Sequence, residues 1–317
     1  MRAGDTGPAG ADPVATIADA RARTAEARRR FDLIGVPYAP QDAAVDMLDE
    51  VRLAAIGRRH GGACGGAILV APHGTGKTRT IEMLRDTVNY APDVPEGQIP
   101  VLHVKLSTVG TVDSIPSQIL RALGRPKPDA GKESIRWNRA MDATVTAGVQ
   151  LILIDEFNRA SRRPTMSGPI AGAIRERIVD EGIAPIAIIG SEDAGSVLRS
   201  APDLMERLDD QIDLEPMDWV HDEALFIGFV GALDAAIVAN GILRDLSGLG
   251  GPEIAEKLCF ASGGRLRRIM KIVRVAMAEV VRRGGGSITM ADFADAVGAY
   301  ATVRRFIDHN PFEKAAK

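Results

Sequence analysis

Ala67-Ile68-Leu69-Val70-Ala71-Pro72-His73-Gly74-Thr75-Gly76-Lys77-Thr78 is the stretch on which the fold turns. An apolar run of strand length enters a loop punctuated by glycine, and a helical pattern begins at Lys77 and reaches about Tyr90. Glycines let backbone N–H groups close around an anion, and the N-terminus of the following helix adds its positive end. Strand, loop, Lys-Thr and helix in that order predict a phosphate cradle made of Pro72, His73, Gly74, Thr75, Gly76, Lys77 and Thr78. Lys77 would reach the β- and γ-phosphates of a nucleotide, and the Thr78 hydroxyl would ligate Mg2+. Ala71 stands where this pattern opens with glycine, a mild departure. An accidental Gly-rich turn is the plain alternative, and the flanking strand and helix weigh against it.

Leu151-Ile152-Leu153-Ile154-Asp155-Glu156 is the second half of the site. Four apolar residues bury a strand and deliver two carboxylates at its C-terminal end, where open α/β sheets bind ligands. Asp155 would hold the Mg2+ shell, and Glu156 would orient and activate the attacking water. Alone, the pattern could be a strand meeting a solvated turn; behind a phosphate loop it reads as ATP hydrolysis. No Asn-Lys-x-Asp guanine-reading motif is present.

Further apolar runs at Val101–Leu106 and Ile186–Ile189 alternate with helical patterns at Ile115–Leu123, 135–147 and Ile170–Glu181. Alternation of nearly continuous apolar strands with helices predicts an α/β fold, a parallel sheet sandwiched by helices. Ile212–Leu214 is a weaker candidate for a last strand. An amphipathic helix over Asp42–Ile56 and a Gly-rich joint at Gly61-Gly62 and Gly65-Gly66 precede the first strand. After Pro216 the pattern turns helical, with helices expected at Asp222–Asn240, Pro252–Ala261, Gly264–Arg283 and Met290–Val303. The expected division is a flexible, partly basic tail at 1–30, a nucleotide-binding domain at 31–216 and a small all-helical domain at 217–317.

The chain has 317 residues, 45% hydrophobic and 26% charged, with a formal net charge of −3. That is a globular balance and excludes a polycation gripping nucleic acid indiscriminately, although local patches can still do so. Two patches are basic: Arg21–Arg30, with five arginines against Glu26, and the helix that begins near Gly264. Each reads either as a solvated helical face or as a contact for a partner or DNA. Cys64 and Cys259 have no metal-type cluster around them, which fits a reduced compartment. No apolar run approaches the roughly 18 residues of a membrane span, and no signal-peptide core opens the chain. These features lead to the expectation of a cytoplasmic protein with no membrane partner.

The order of parts resembles an AAA+ ATPase: phosphate-loop strand, second strand, Asp-Glu strand, polar-ended fourth strand, arginine, helical lid. The resemblance places Ser191, after Ile189-Gly190, at the polar sensor-1 position, where Asn or Thr is more usual. Leu204-Met205-Glu206-Arg207-Leu208 resembles the segment bearing the arginine finger; Arg207 would reach a neighbouring subunit's γ-phosphate, with Arg199 its nearest rival. Gly264-Arg265-Leu266-Arg267 resembles the sensor-2 motif, with Arg267 the ATP-binding choice and Arg265 and Arg268 close behind.

A narrower resemblance is to TniB/TnsC-type ATPases of bacterial transposons, over roughly residues 31–300. It rests on Val36-Pro37-Tyr38 through Leu48, on Pro100-Val101, and on Ile119-Leu120-Arg121-Ala122-Leu123-Gly124. Asp218-Trp219 and Ser262-Gly263-Gly264 complete it. The resemblance implies an ATP-bound homo-oligomer, a ring or filament on double-stranded DNA, that recruits a transposase and marks target sites, with a target-selection protein as a further partner. Lys105, Ser107, Thr108 and Thr111 would then approach DNA phosphates without reading sequence. Two alternatives stand beside it: a protein-remodelling motor, against which Thr108-Val109-Gly110 lacks a pore-loop aromatic, and a helicase loader.

Overall fold

In the computed structural model, which describes residues 13–57, 62–108, 111–162 and 164–313, the apolar runs become a five-stranded, all-parallel sheet. Its strands are β1 (Gly66–Val70), β2 (Val101–Lys105), β3 (Leu151–Asp155), β4 (Ile186–Gly190) and β5 (Asp210–Gln211). Their spatial order is β2-β3-β4-β1-β5. Every residue of β3 and β4 is buried, as continuous apolar strands covered on both faces require. Gly61, Val109, Gly110 and the expected tail through residue 12 lie outside the described residues.

The chain divides into two compact units. The first to be described is Ala39–Glu215, which holds the sheet. Its helices are α2 (Ala39–Ala55), α3 (Lys77–Asn89), α4 (Ser114–Ala122), α5 (Glu133–Thr146), α6 (Pro164–Ile174), α7 (Glu192–Arg199) and the short α8 (Pro202–Met205). A 3-10 turn at Phe157–Arg162 and a π turn at Arg175–Val179 complete it. Trp137, Ile119, Leu120, Phe157, Ile170 and Ile174 are among the side chains of the core around the sheet.

One expectation is corrected within this unit, and one helix is added. The last strand pairs at Asp210–Gln211, opposite Ala67 and Ile68, not at Ile212–Leu214. Ile212 and Leu214 are buried, and the Ile212 N–H donates to the Ile68 carbonyl at 2.8 Å, so the paired residues lie just before the apolar alternation, which carries the last bond to β1. Helix α7, absent from the sequence reading, is short; Ala194, Val197 and Leu198 are its buried residues.

The second unit joins the segment ending at Tyr38 to the chain from Pro216 onward. It contains α1 (Pro13–Asp32), α9 (Trp219–Ala239), α10 (Pro252–Ser262), α11 (Leu266–Arg283) and α12 (Met290–Val297), followed by a π turn at Gly298–Thr302. From Pro13 the expected tail is therefore helix, and Thr24, Ala27 and Phe31 bury one face of it against α11. Gly264 joins α10 to α11 where only glycine fits: a Cβ there would lie 1.8 Å from the Met217 carbonyl oxygen. Among the described residues no helix is long and apolar enough to cross a membrane.

Candidate functional site

The parallel strands bring their C-terminal ends to one edge of the sheet. Val70 pairs with Gly190, and Lys105 lies opposite Asp155, so the phosphate loop, Ser191 and the two acids emerge there together. That edge is where open α/β sheets bind their ligands.

The loop after β1 is shaped by its own backbone. Gly76 caps α3 with a φ of 113°, a conformation only glycine adopts without strain. Thr75 is buried, and its hydroxyl donates to the Pro72 carbonyl at 3.1 Å. The Gln41 side-chain amide donates to the Gly76 carbonyl at 3.0 Å, tying α2 to the loop. Lys77 folds over the loop, its Nζ donating to the Ala71 carbonyl at 2.5 Å and the Pro72 carbonyl at 2.6 Å. His73 and Thr78 stand exposed at the mouth and the start of α3. A lysine held over a glycine loop at a helix N-terminus is the arrangement an anion site uses, matched to a polyphosphate.

Asp155 is 7% exposed, and both its oxygens are engaged. The Glu156 N–H donates to Oδ1 at 2.7 Å, and His103 Nε2 lies 3.2 Å from Oδ2. Burial alone pushes this carboxyl up; the bonds from His103 and Glu156, with the charges of His103 and Lys105, outweigh it and hold the group below the ordinary aspartate value. The site thus presents a carboxylate. His103 was missed by the sequence reading, because a lone histidine inside an apolar strand carries no motif.

Glu156 has a φ of 59°, left-handed for a residue with a side chain. Its carboxylate lies between two cations, with Lys105 Nζ 3.7 Å from Oε1 and Arg159 Nε 3.4 Å from Oε2. Arg159 also donates to the Leu106 carbonyl at 2.7 Å, fastening the end of β2 to the turn after β3. Lys105, expected at DNA, is thus beside Glu156 here. Of the other expected DNA contacts, Thr108 is exposed, Ser107 and Thr111 are half-buried, and the Thr111 carbonyl accepts the Ser114 hydroxyl at 2.6 Å.

Ser191 is 5% exposed, and among the described residues its hydroxyl has no hydrogen-bond partner. A buried hydroxyl with no protein partner beside the glycine loop is placed to bond a ligand held there. Arg207 follows α8 and is half-exposed, its Nε 3.2 Å from Asp180 Oδ1. Arg199 bonds within its own helix, to Ser196 Oγ at 2.9 Å. Arg267 is an exposed residue of the first turn of α11, in the other unit.

The donor set suits Mg2+ arriving with a nucleotide. Among the described residues no group of three or more His, Cys, Asp or Glu could hold a metal. Mg2+ is taken by one or two protein oxygens plus substrate phosphates, and the Thr78 hydroxyl and the ionised Asp155 would supply those oxygens. The ion would neutralise phosphate charge as it develops. Lys77 would hold the phosphates, Glu156 would accept a proton from water, and Ser191 would hold a phosphate oxygen or that water.

Residues 59–198 match the AAA domain family. No curated protein matches the chain in sequence. Among solved structures it resembles the Aeropyrum pernix ORC2 protein in its ADPNP–ADP complexes, at 15% identity and a TM-score of 0.60, over 88% of this chain and 74% of that one. It resembles the Aeropyrum pernix ORC1 protein in complex with DNA at 18% identity and a TM-score of 0.59, over 84% and 66%. Cdc6p from Pyrobaculum aerophilum matches at 15% identity and a TM-score of 0.60, over 84% and 69%. The sheet is therefore the P-loop AAA+ sheet, and the architecture is that of the ORC and Cdc6 proteins.

Proposed function

We propose that this chain is a Mg2+-dependent ATPase that assembles on double-stranded DNA when ATP-bound and leaves it on hydrolysis. The observation that carries the ATPase reading is the shared edge: phosphate loop, ionised Asp155, Glu156 and the unsatisfied Ser191 all issue from neighbouring strand ends. The DNA reading is supported by the fold, since one similar protein is an ORC1 in complex with DNA. The narrower reading is regulation of transposition, in which the assembly recruits a transposase. It is supported by the TniB/TnsC-type features, Pro100-Val101 opening β2, Asp218-Trp219 and Ser262-Gly263-Gly264. A second reading, a helicase loader, is favoured by the likeness to ORC and Cdc6 architecture.

Negative-stain imaging of the Glu156→Gln variant tests this, with ATP, with duplex DNA and with both. The substitution is expected to retain nucleotide and block hydrolysis, so that the ATP-bound assembly accumulates. Rings or filaments that require both ligands are the expected result. Assembly with ATP alone, indifferent to DNA, overturns the DNA reading and points to a protein-directed function. A loader is told from a transposition regulator by which partner, helicase or transposase, the DNA-bound assembly retains.

A further inference from the structure

The unit that joins α1 to the C-terminal helices carries more positive charge than the one arginine, Arg267, expected at a nucleotide. Helix α1 lays Thr24, Ala27 and Phe31 on α11, and Arg274 of α11 donates in a fork to Asp32 at 2.7 and 2.8 Å. Arg21 and Arg28 recur at seven-residue spacing on α1, on the same flank of that seam as Asp32. On α11, Arg267, Lys271 and Arg274 form one stripe at four- and three-residue spacing. The stripe enters a cleft of about 650 Å³ that Phe31, Tyr300 and Arg304 also line. Four basic heads thus meet one acid, Asp32, which Arg274 already occupies.

The two helices together carry eleven Arg and Lys residues against Asp19, Glu26, Asp32 and Glu279, in a chain whose net charge is −3. Local ion pairs account for part of this: Arg29 and Arg30 with Glu26, Arg282 with Glu279, Arg283 with Asp292. Among the described residues Arg21, Lys271 and Arg304 make no ion pair. Like charges gathered along one trough repel one another unless an extended anion lies in it.

The kind of anion follows from the aromatic rings. Arg268 covers Phe306 at 3.8 Å, Arg304 covers Tyr300 at 4.7 Å, and the two rings meet edge-on at 5.8 Å. Faces already stacked on guanidinium groups are not offered to unpaired bases, which single-strand binding requires. The exposed face of α1 carries Ala18, Ala22 and Ala25 among its arginines rather than the leucine or aromatic stripe that enters a bilayer surface. We infer that the α1–α11 trough is a docking site for the phosphate backbone of duplex nucleic acid, separate from the loop after β2. The inference rests on the DNA-associated reading proposed above.

The test is duplex binding by the full chain with ATP, followed by fluorescence anisotropy across a salt series. The variant is Arg21→Gln/Lys271→Gln/Arg304→Gln, none of which belongs to the nucleotide site. Loss of three phosphate contacts is expected to weaken binding by at least tenfold at moderate salt and to lower the slope of log K against log salt by about 3. ATP binding is expected to stay at the wild-type level, which shows that the variant has folded. A second variant, Arg21→Lys/Arg304→Lys, keeps the charges and is expected to bind as the wild type does. Unchanged affinity and slope in the triple Gln variant, with a wild type that binds duplex, overturn the trough and leave the DNA reading standing. A wild type that does not bind duplex removes the DNA reading and this inference with it. Wild-type binding to phosphatidylserine vesicles but not to duplex, lost in the triple variant, assigns the trough to a membrane surface and also overturns it.

Discussion

Glu156 sits where a side chain is least at ease. A left-handed φ costs a residue with a Cβ roughly 1 kcal/mol, and only glycine escapes it. The conformation persists because the turn is fastened on both sides: the Glu156 N–H donates to Asp155, and its carbonyl accepts the Arg159 N–H at 2.8 Å. The strain aims the carboxylate off the end of β3, between Lys105 and Arg159. Two variants separate conformation from chemistry. Glu156→Ala and Glu156→Gly both remove the proposed base, and ATP turnover is expected to fall by about 10²–10⁴-fold in each. The glycine variant is expected to be the more stable by about 1 kcal/mol, a rise of a few degrees in melting temperature over the alanine variant. Equal melting temperatures would show that the backbone at this position is unstrained. The loop lysine makes a comparable point: Lys77 needs no nucleotide to find partners, since the loop's own carbonyls hold it until phosphates compete for it.

Elements held by a few polar contacts give the next scale. Helix α12 opens on a reciprocal cap, in which the Thr289 N–H and hydroxyl donate to Asp292 at 2.8 and 2.7 Å and the Asp292 N–H returns a bond at 3.4 Å. Arg283, at the end of α11, donates to the same carboxylate at 2.7 Å. The Arg283 bond, ahead of those from Thr289, overrides burial and holds the Asp292 carboxyl at about 2, against an ordinary value of 3.8. Because the folded value is depressed, the stabilisation is full above pH about 4 and is lost as pH falls through about 2. In urea unfolding followed by hydrogen exchange of the α12 amides, which reports this unit, wild type is expected to exceed Asp292→Asn by about 2 kcal/mol at pH 7. The gap should have narrowed by pH 3; a pH-independent gap would assign the effect to shape alone. Gly264→Ala is expected to cost at least about 2 kcal/mol, since its Cβ would strike the Met217 backbone. Such features mark the limit of sequence reading. The apolar runs and the loop-to-helix transition announced four strands and the glycine loop that runs into α3, because burial and loop geometry each impose a local pattern. The partners of His103, Arg159 and Asp180 are fixed by strand order and turn geometry, which no local pattern records. Of the helix over Pro13–Asp32 only the basic stretch Arg21–Arg30 is legible as helical, because its buried face is built of Thr24 and Ala27 as well as Phe31, too little apolar surface to mark where it packs or where it begins.

At the scale of the molecule, Arg207 poses the question that one chain cannot answer by itself. It is half-exposed, and its contact at 3.2 Å is with Asp180, within its own unit. An exposed pair of this kind contributes little to stability, typically under about 1 kcal/mol, so a competing phosphate can displace Asp180. If Arg207 serves a neighbour's site, Arg207→Ala is expected to bind ATP normally and to lose about 10³–10⁵-fold in turnover. The same loss would follow from an arginine acting within its own chain, so the variant alone does not decide. Mixing does. Glu156→Gln subunits keep Arg207 but have a dead site of their own, whereas Arg207→Ala subunits keep a competent site and lack the finger. In a head-to-tail assembly formed at equal concentrations, about one interface in four pairs an intact Glu156 with an intact Arg207. Turnover should then recover to about a quarter of the wild-type rate, where each variant alone is inactive. Recovery should vanish below the concentration at which the assembly forms and should rise with duplex DNA if DNA drives association. A mixture as inactive as its components would place Arg207 in its own chain's chemistry or in structure alone, and would move the search for the trans-acting group to Arg199.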